Sequence, residues 1–376
     1  MTLRIEKLKE LSTDKSVDVF LFTSASTIKC FSGYFYNFEI GASPFHLLPA
    51  ALLVIPSGKM NLILADNESL STPVSGSDIA IMPYLSYTFE KPLDFTNQFL
   101  IQLHEAFQNN GVTKARIGIE TNTLPYVVAK SLTSAYPNIE FVDITDEIKL
   151  LKAVKDADEI ENIRASLHLC DVGQAAVLKY AKPGMTEIEL FTKLRGEMDA
   201  VVGKRIPMMA DLVSGQRTFY DGGNPTDKVL NDGDLIISDL TPCLNGYWGD
   251  TCNTMTVGKP TAQQIEYFKL IEETLQIGIM AVKPGISANS IDQLLRNNVA
   301  RAGSYGHHSG HGIGTNFHEE PRIVPYNNMV LVPNMVFAME PALYINNYGI
   351  RLEHVVLVTN TGCEVLTKFQ HCFQQT

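Results

Sequence analysis

The chain has 376 residues, a net charge of −11 and 45% hydrophobic residues, which is the composition of a globular protein with a substantial core and, at roughly 100–200 residues per domain, room for two domains. The acidic balance argues against a phosphate-backbone partner, since nucleic-acid binding uses a basic face. The longest apolar run, near Leu47 to Ile55, is interrupted by Pro49 and is far too short to span a bilayer, so neither a nucleic-acid nor a membrane partner is expected.

The N-terminus, MTLRIEKLKELSTDKS, is charged and has no apolar run behind a basic start, so it does not read as a signal peptide. Six cysteines (Cys30, Cys170, Cys243, Cys252, Cys363 and Cys372) are scattered without a CxxC pair, unlike a disulfide framework or a structural zinc site. A reducing cytoplasm is the location these features predict.

Residues 1–150 read as an α/β domain. Val17–Phe22 is a short apolar run of strand type. Ala51–Ile55 and Met60–Leu64 flank Pro56-Ser57-Gly58-Lys59, a hairpin signal. Arg116–Ile119 and Phe141–Ile144 read as further strands, with helical spacing over Leu124–Tyr136 between them. The two histidines of this region, His46 and His104, read as surface or packing residues.

The character changes at Lys149–Asp158, where a charged entry leads into helical periodicity through Ile160, Ile163, Leu167, Cys170 and Val177. The domain boundary is placed here, giving a second domain over 151–376. Lys182-Pro183-Gly184 ends that helix, and Thr186 with Glu189 forms a capping box for the next. The pattern recurs 101 residues on (182 to 283): a helix with Ile265, Phe268, Ile271 and Leu275 ends at Lys283-Pro284-Gly285, and another follows through Ile291 and Leu295. Strand-like sequence comes after each pair, Leu235–Leu240 after the first, Val336–Met339 and His354–Thr359 after the second. This is the signature of an internal duplication, and two such halves place a cleft at their common axis.

Acids interrupt these apolar runs. Asp239 ends the run from Leu235, and Asp250 follows beyond a turn near Cys243–Gly246; Glu340 ends the run from Val336, and Glu353 precedes another apolar run. Buried carboxylates are costly unless neutralised or metal-bound, and four converging would repel one another unless cations sat among them. Between them, Gly306–Pro321 (GHHSGHGIGTNFHEEP) sets His307, His311 and His318 in a glycine-rich stretch. Gly310, Gly312 and Gly314 around His311 give a backbone that can approach a bound group, and leave its ring nitrogen unshielded, as a metal ligand requires. A flexible loop with incidental histidines is the alternative reading of that stretch taken alone.

GDLIISDLTPCLNGYWGDTCNT, GHHSGHGIGTNFHEEP, VFAMEPALY and GIRLEHVVLVT, in this order and spacing, resemble the pita-bread-fold metallopeptidases, which include methionine aminopeptidase, aminopeptidase P, prolidase and the related creatinase. The resemblance covers roughly residues 150–376. KLLKAVKDADEIENIRAS and the preceding domain resemble the prolidase and aminopeptidase P branch. The resemblance implies an α/β (α+β) architecture: a pita-bread catalytic domain of two pseudo-symmetric halves behind a smaller creatinase-like N-terminal domain. It implies a metallo-aminopeptidase or dipeptidase in which Asp239, Asp250, His311, Glu340 and Glu353 bind two divalent ions, Asp250 and Glu353 bridging. An oxygen-rich set with one imidazole suits Mn²⁺ first, with Co²⁺, Fe²⁺ or Zn²⁺ as alternatives. A bridging hydroxide would attack the N-terminal amide of a short peptide, before proline in the leading case. Glu340 would also shuttle the proton. His307 and His318 would be catalytic and substrate-lining groups, Arg351 a substrate-binding one, and a homodimer is implied.

Two departures from the branch pattern stand out. The histidine that usually precedes the first Asp falls at about Gly222, and the Thr and Arg that usually follow the second Asp are Cys252 and Asn253. The first leaves open a non-peptidase C–N hydrolase of a small amino-acid-like substrate on the same fold. A catalytically inactive binding module is the remaining rival, and metal analysis separates it from the enzymes.

Overall fold

The computed structural model describes residues 2–35, 50–69, 78–220, 222–345 and 347–374. The chain divides into two compact units, Met1–Lys152 and Ala153–Thr376.

The first unit is a mixed sheet with helices on it. In chain order it contains α1 (Thr2–Lys15), β1 (Val19–Phe22), α2 (Ala25–Ser32), β2 (Ala50–Val54), β3 (Met60–Ala65), α3 (Asp66–Ser69), β4 (Ile79–Tyr84), α4 (Phe95–Asn109), β5 (Arg116–Ile119), α5 (Tyr126–Ala135), β6 (Glu140–Asp143) and α6 (Thr145–Ala153). The strands lie in the order β4-β3-β2-β1-β5-β6. Every residue of β1, β2 and β3 is buried, which is why β1 and β2 read as unbroken apolar runs, and β3 as one broken only by Asn61, rather than as alternating strands. The β2–β3 hairpin forms with Val54 opposite Met60. His104 is a packing residue, hydrogen-bonded to Ser131 at 2.9 Å; His46 lies outside the described residues.

The second unit repeats one plan. The first half contains α7 (Ala157–Tyr180), α8 (Glu187–Val202), β7 (Met208–Ser214), β8 (Leu235–Leu244), β9 (Tyr247–Trp248) and β10 (Thr251–Thr256). The second contains α9 (Ala262–Ala281), α10 (Ala288–Val299), β11 (Gly310–Gly312), β12 (Glu319–Ile323), β13 (Val336–Met339), β14 (Ala342–Ile345), β15 (Tyr348–Arg351), β16 (His354–Val358) and β17 (Cys363–Val365). The sheets run β10-β8-β7, with β9 on β8, and β12-β11-β13-β16-β17, with β14 and β15 as a separate hairpin. Each half packs its helices on its sheet around its own apolar cluster.

The duplication is visible in the hydrogen bonds. Thr186 bridges Val229 and Ser287 bridges Val330, both members shifted by 101 (186 to 287, 229 to 330). The N–H of Gly184 donates to Leu230 O, and that of Gly285 to Leu331 O, again shifted by 101. The capping boxes at Thr186–Glu189 and Asp156–Glu159 both form.

Two expectations change. β8 does not end at Asp239 but runs to Leu244, because β7 pairs with it from Ser214 opposite Ile236 to Met208 opposite Pro242. The alternative reading, a flexible loop around His311, is the one that gives way. His311 lies on β11, between β12 and β13, and the glycines beside it serve close strand packing: a Cβ on Gly310 would stand 2.1 Å from Ala338 O, and one on Gly312 2.1 Å from Glu320 O. Among the described residues no helix is long and apolar enough to cross a membrane.

Candidate metal centre

Five side chains converge where the two halves meet. Asp239 lies on β8 and Asp250 just before β10; Glu340 follows β13, 101 residues after Asp239, and Glu353 just precedes β16. His311 reaches them from β11. Asp250, His311, Glu340 and Glu353 are 5%, 3%, 6% and 2% exposed, too little for water to neutralise acids at this density. They line a cavity of about 730 Å³. His307, His308, His318, Arg351 and Asp211 complete its polar wall, and Ile188, Phe191, Met208 and Phe317 give it an apolar side.

The electrostatics are those of acids held together against their repulsion. Burial, and then the neighbouring Asp239, pushes Asp250 well above the ordinary carboxylate range; burial followed by Asp250 does the same to Glu353. Burial raises Asp239 to about 6, opposed by the Arg351 charge. Glu340 moves the other way: burial would raise it, but the His308 contact and the His307 and His311 charges hold it at about 2. Burial lowers His311 to about 3, so its ring is neutral at pH 7.

The donor set fits divalent cations. The Nδ1 of His311 lies 3.1 Å from Gly312 O, and a carbonyl can only accept, so this nitrogen carries the hydrogen. The lone pair is then on Nε2, which faces Asp250 Oδ2 at 3.6 Å and Glu340 Oε1 at 3.7 Å. Three lone-pair bearers thus face one another, and the buried Glu353 Oε1 has no hydrogen-bond partner among the described residues. Asp250, His311 and Glu353 each offer one ligand atom within 4.8 Å of the others. A cation among them satisfies all of these atoms at once, whereas a proton satisfies one.

The surrounding side chains are held in turn. Thr241 Oγ1 donates to Asp250 Oδ1 at 3.1 Å. Arg351 lines the cavity, but its guanidinium is already committed, 2.7 Å from Asp239 Oδ2, 3.4 Å from Asp211 Oδ2 and 3.2 Å from the Tyr344 hydroxyl. His307 has Nδ1 2.7 Å from His308 O and Nε2 3.0 Å from Tyr344 Oη. The His318 ring centre is 4.2 Å from that of His311, on the exposed side.

Sequence reasoning passed over two residues here. His308 Nε2 lies 2.9 Å from Glu340 Oε1; the His-His doublet was its signal. Asp211 pairs with Asp239 across β7 and β8, and it is an acid inside an apolar run, the same signature that singled out Asp239. A Cβ on Gly222 would stand 1.8 Å from Asp211 Oδ2, so this carboxylate fills the place beside Gly222.

A duplicated α/β fold with acids and imidazole gathered at its midline defines a metal-dependent peptidase of the pita-bread type. The sequence model of Metallopeptidase family M24 matches residues 161–360, and that of the Creatinase/Prolidase N-terminal domain matches residues 4–154. The chain is 33% identical over 257 residues to an Xaa-Pro dipeptidase of Pyrococcus furiosus, covering 67% of this chain and 73% of that protein. It is 25% identical over 369 residues to an uncharacterized peptidase of Bacillus subtilis, covering 97% and 98%. The crystal structure of the prolidase from Pyrococcus horikoshii superposes with a TM-score of 0.80 at 25% identity, over 98% of this chain and 99% of that one. The chain therefore belongs to metallopeptidase family M24, in its prolidase branch.

Proposed function

We propose that the protein hydrolyses the N-terminal amide bond of short peptides, Xaa-Pro bonds foremost, and that Asp239, Asp250, His311, Glu340 and Glu353 would hold the two divalent ions this needs. The observation that carries this reading is the His311 Nε2 lone pair facing the oxygens of Asp250 and Glu340, 3.6 and 3.7 Å away, beside the unpartnered Glu353 Oε1. The Pyrococcus furiosus relative, an Xaa-Pro dipeptidase by name, supports the substrate class. Mn²⁺ is the first candidate ion, then Co²⁺, Fe²⁺ or Zn²⁺. When bound, the ions supply an activated water and polarise the scissile carbonyl.

The chain's own groups do the rest. Glu340 takes the proton from the attacking water and returns it to the leaving amine. His318 donates a hydrogen bond to the oxyanion as it forms. His307, steadied by Tyr344, lines the substrate path. Thr241 and Arg351 orient Asp250 and Asp239 from outside the ion pair. A homodimer, by family resemblance, and a cytoplasmic location, from the scattered cysteines, are part of the same reading.

The Asp211 carboxylate beside Gly222, where the branch pattern has a histidine, favours a second reading, hydrolysis of a C–N bond in a small amino-acid-like substrate. The deciding assay uses protein reconstituted with Mn²⁺ or Co²⁺ on Xaa-Pro dipeptides, longer Xaa-Pro peptides and non-peptide amides. Turnover of Xaa-Pro bonds is expected; turnover of the non-peptide amides alone would overturn the peptide assignment. Failure to take up any of the four ions would favour a binding module instead.

A further inference from the structure

Four imidazoles ring the cavity, and the reading above uses three of them. The fourth, His308, has its ring centre 5.1 Å from that of His311 and 5.2 Å from that of His318. One ligand-type atom from each of His308, His311 and His318 lies within 4.8 Å of the others, and this triangle needs no acid to close it. His308 Nε2 also touches Glu340 Oε1 at 2.9 Å, so the ring is held at the edge of the acid cluster rather than turned away from it. Nitrogen ligands bind zinc at about 2.0–2.1 Å, so small ring rotations bring such a triangle around one ion and leave a fourth position open. A nitrogen-only set prefers a different metal from the oxygen-rich set beside it: Zn²⁺ and Cu²⁺ gain most from imidazole, while Mn²⁺ gains least.

We propose that His308, His311 and His318 form a second, histidine-only site for a borderline divalent cation of the Zn²⁺ or Cu²⁺ class. Because His311 serves both sets, an ion on the histidines removes a ligand from the acid-rich centre, and the two loadings exclude each other. That exclusion rests on the reading of His311 as a ligand of the acid-rich centre; the histidine site itself does not. The consequence is a protein that Mn²⁺ loads on its acids and that excess Zn²⁺ unloads through its histidines.

The test uses the full chain stripped with chelator, followed by titration with ZnCl₂ against a chromophoric chelator and with MnCl₂ by electron paramagnetic resonance. In wild type, Zn²⁺ should displace bound Mn²⁺, and His308→Gln should raise the Zn²⁺ concentration needed at least tenfold, as loss of a ligand should cost at least what loss of an outer-shell partner does. In an Asp250→Asn/Glu353→Gln background, one Zn²⁺ per chain should remain, and adding His308→Gln should weaken it at least tenfold. Circular dichroism and the melting temperature confirm that each variant is folded, and the wild-type comparison stands by itself if the double variant is not. Zn²⁺ affinity that changes less than twofold on His308→Gln overturns the histidine site. If Asp250→Asn/Glu353→Gln instead holds as much Mn²⁺ as wild type, the acid-rich reading and the exclusion fall, while the His308 comparison still decides the histidine site.

Discussion

Glu353 donates its backbone N–H to the carbonyl oxygen of Cys252, 2.9 Å away, and so joins the second repeat to β10 of the first beside the acid cluster. Thr254 strengthens the seam. Its Oγ1 donates to Arg351 O at 2.8 Å and accepts from Arg351 N–H at 2.9 Å. Two of the residues that depart from the family pattern, Cys252 and Asn253, lie in this seam. Cys252 Sγ donates to Arg351 O at 3.5 Å, and Asn253 pairs with the backbone of Cys372 at 3.1 and 3.3 Å. Thr254→Val keeps the shape but takes the Thr254 hydroxyl from the buried Arg351 N–H and leaves Arg351 O with the long Cys252 Sγ contact. The expected loss is about 2 kcal/mol of stability, read as a lower urea midpoint with the slope unchanged.

Asp250→Ala removes the acid that faces both Asp239 and His311. Hydrolysis and the occupancy of one ion should be lost together. Because burial holds Asp250 far above the usual carboxylate range, its charge opposes folding in the ion-free protein. The ion-free variant should therefore melt no lower than ion-free wild type at pH 7. A variant that retains full activity and two ions would take Asp250 out of the centre, and a large drop in melting temperature would make it a structural acid.

The acids were legible in the sequence because a carboxylate inside an apolar run is costly anywhere except at a site. Both helix pairs were legible because Lys-Pro-Gly recurs at 182 and 283. His311's strand was not, because β11 is three residues long and two of them are glycine, a composition that reads as loop until its neighbours press against it. β7 was hidden for a related reason. Its burial pattern does not alternate cleanly, since Asp211 faces the cavity where a core strand would carry an apolar residue. Arg351 shows the remaining limit: the family resemblance implied a substrate-binding group, and only the packed structure shows its guanidinium engaged by Asp239 and Tyr344.

His354 and His371 give the ion-free protein a pH dependence of its own. Their rings stack with centres 4.2 Å apart, His354 Nδ1 meets Thr367 Oγ1 at 2.7 Å, and His371 Nε2 meets Glu353 O at 3.1 Å. Burial lowers His354 to about 3 and His371 to about 4. A lowered histidine means that the unfolded chain takes up the proton first. The stabilisation is thus whole above the unfolded value of about 6.5 and is lost as the pH falls toward the folded values, roughly 2 kcal/mol per histidine by pH 5. Asp239, Asp250 and Glu353, raised rather than lowered, contribute with the opposite sign over part of the same range. The difference between wild type and His371→Gln isolates the histidine: the variant's stability should fall less steeply between pH 6.5 and 4.5. Parallel curves would show that His371 is not titrating against folding.

Asp211 and Gly222 depend on each other. With Asp211 Oδ2 1.8 Å from where a Cβ on Gly222 would be, Gly222→Ala must push this carboxylate aside. The displaced group is the tip of a short side chain with 37% of its surface exposed, and Arg351 keeps Asp239 at 2.7 Å, so the cost in stability should be small, under about 1 kcal/mol. The change should register in binding instead. Asp211 adds a carboxylate to the cavity wall next to Asp239, with which it shares Arg351, placed to meet a cationic group of the substrate. Asp211→Asn and Gly222→Ala should both raise KM for peptides with a free N-terminal amine by roughly fivefold, the value of one partly exposed charge contact, while kcat and the melting temperature stay near wild type. Acylating the peptide amine should abolish the difference between variants and wild type. If instead both variants lower kcat at unchanged KM, Asp211 acts through Arg351 as a brace for Asp239, and the cavity's preference for a cationic substrate has to come from elsewhere.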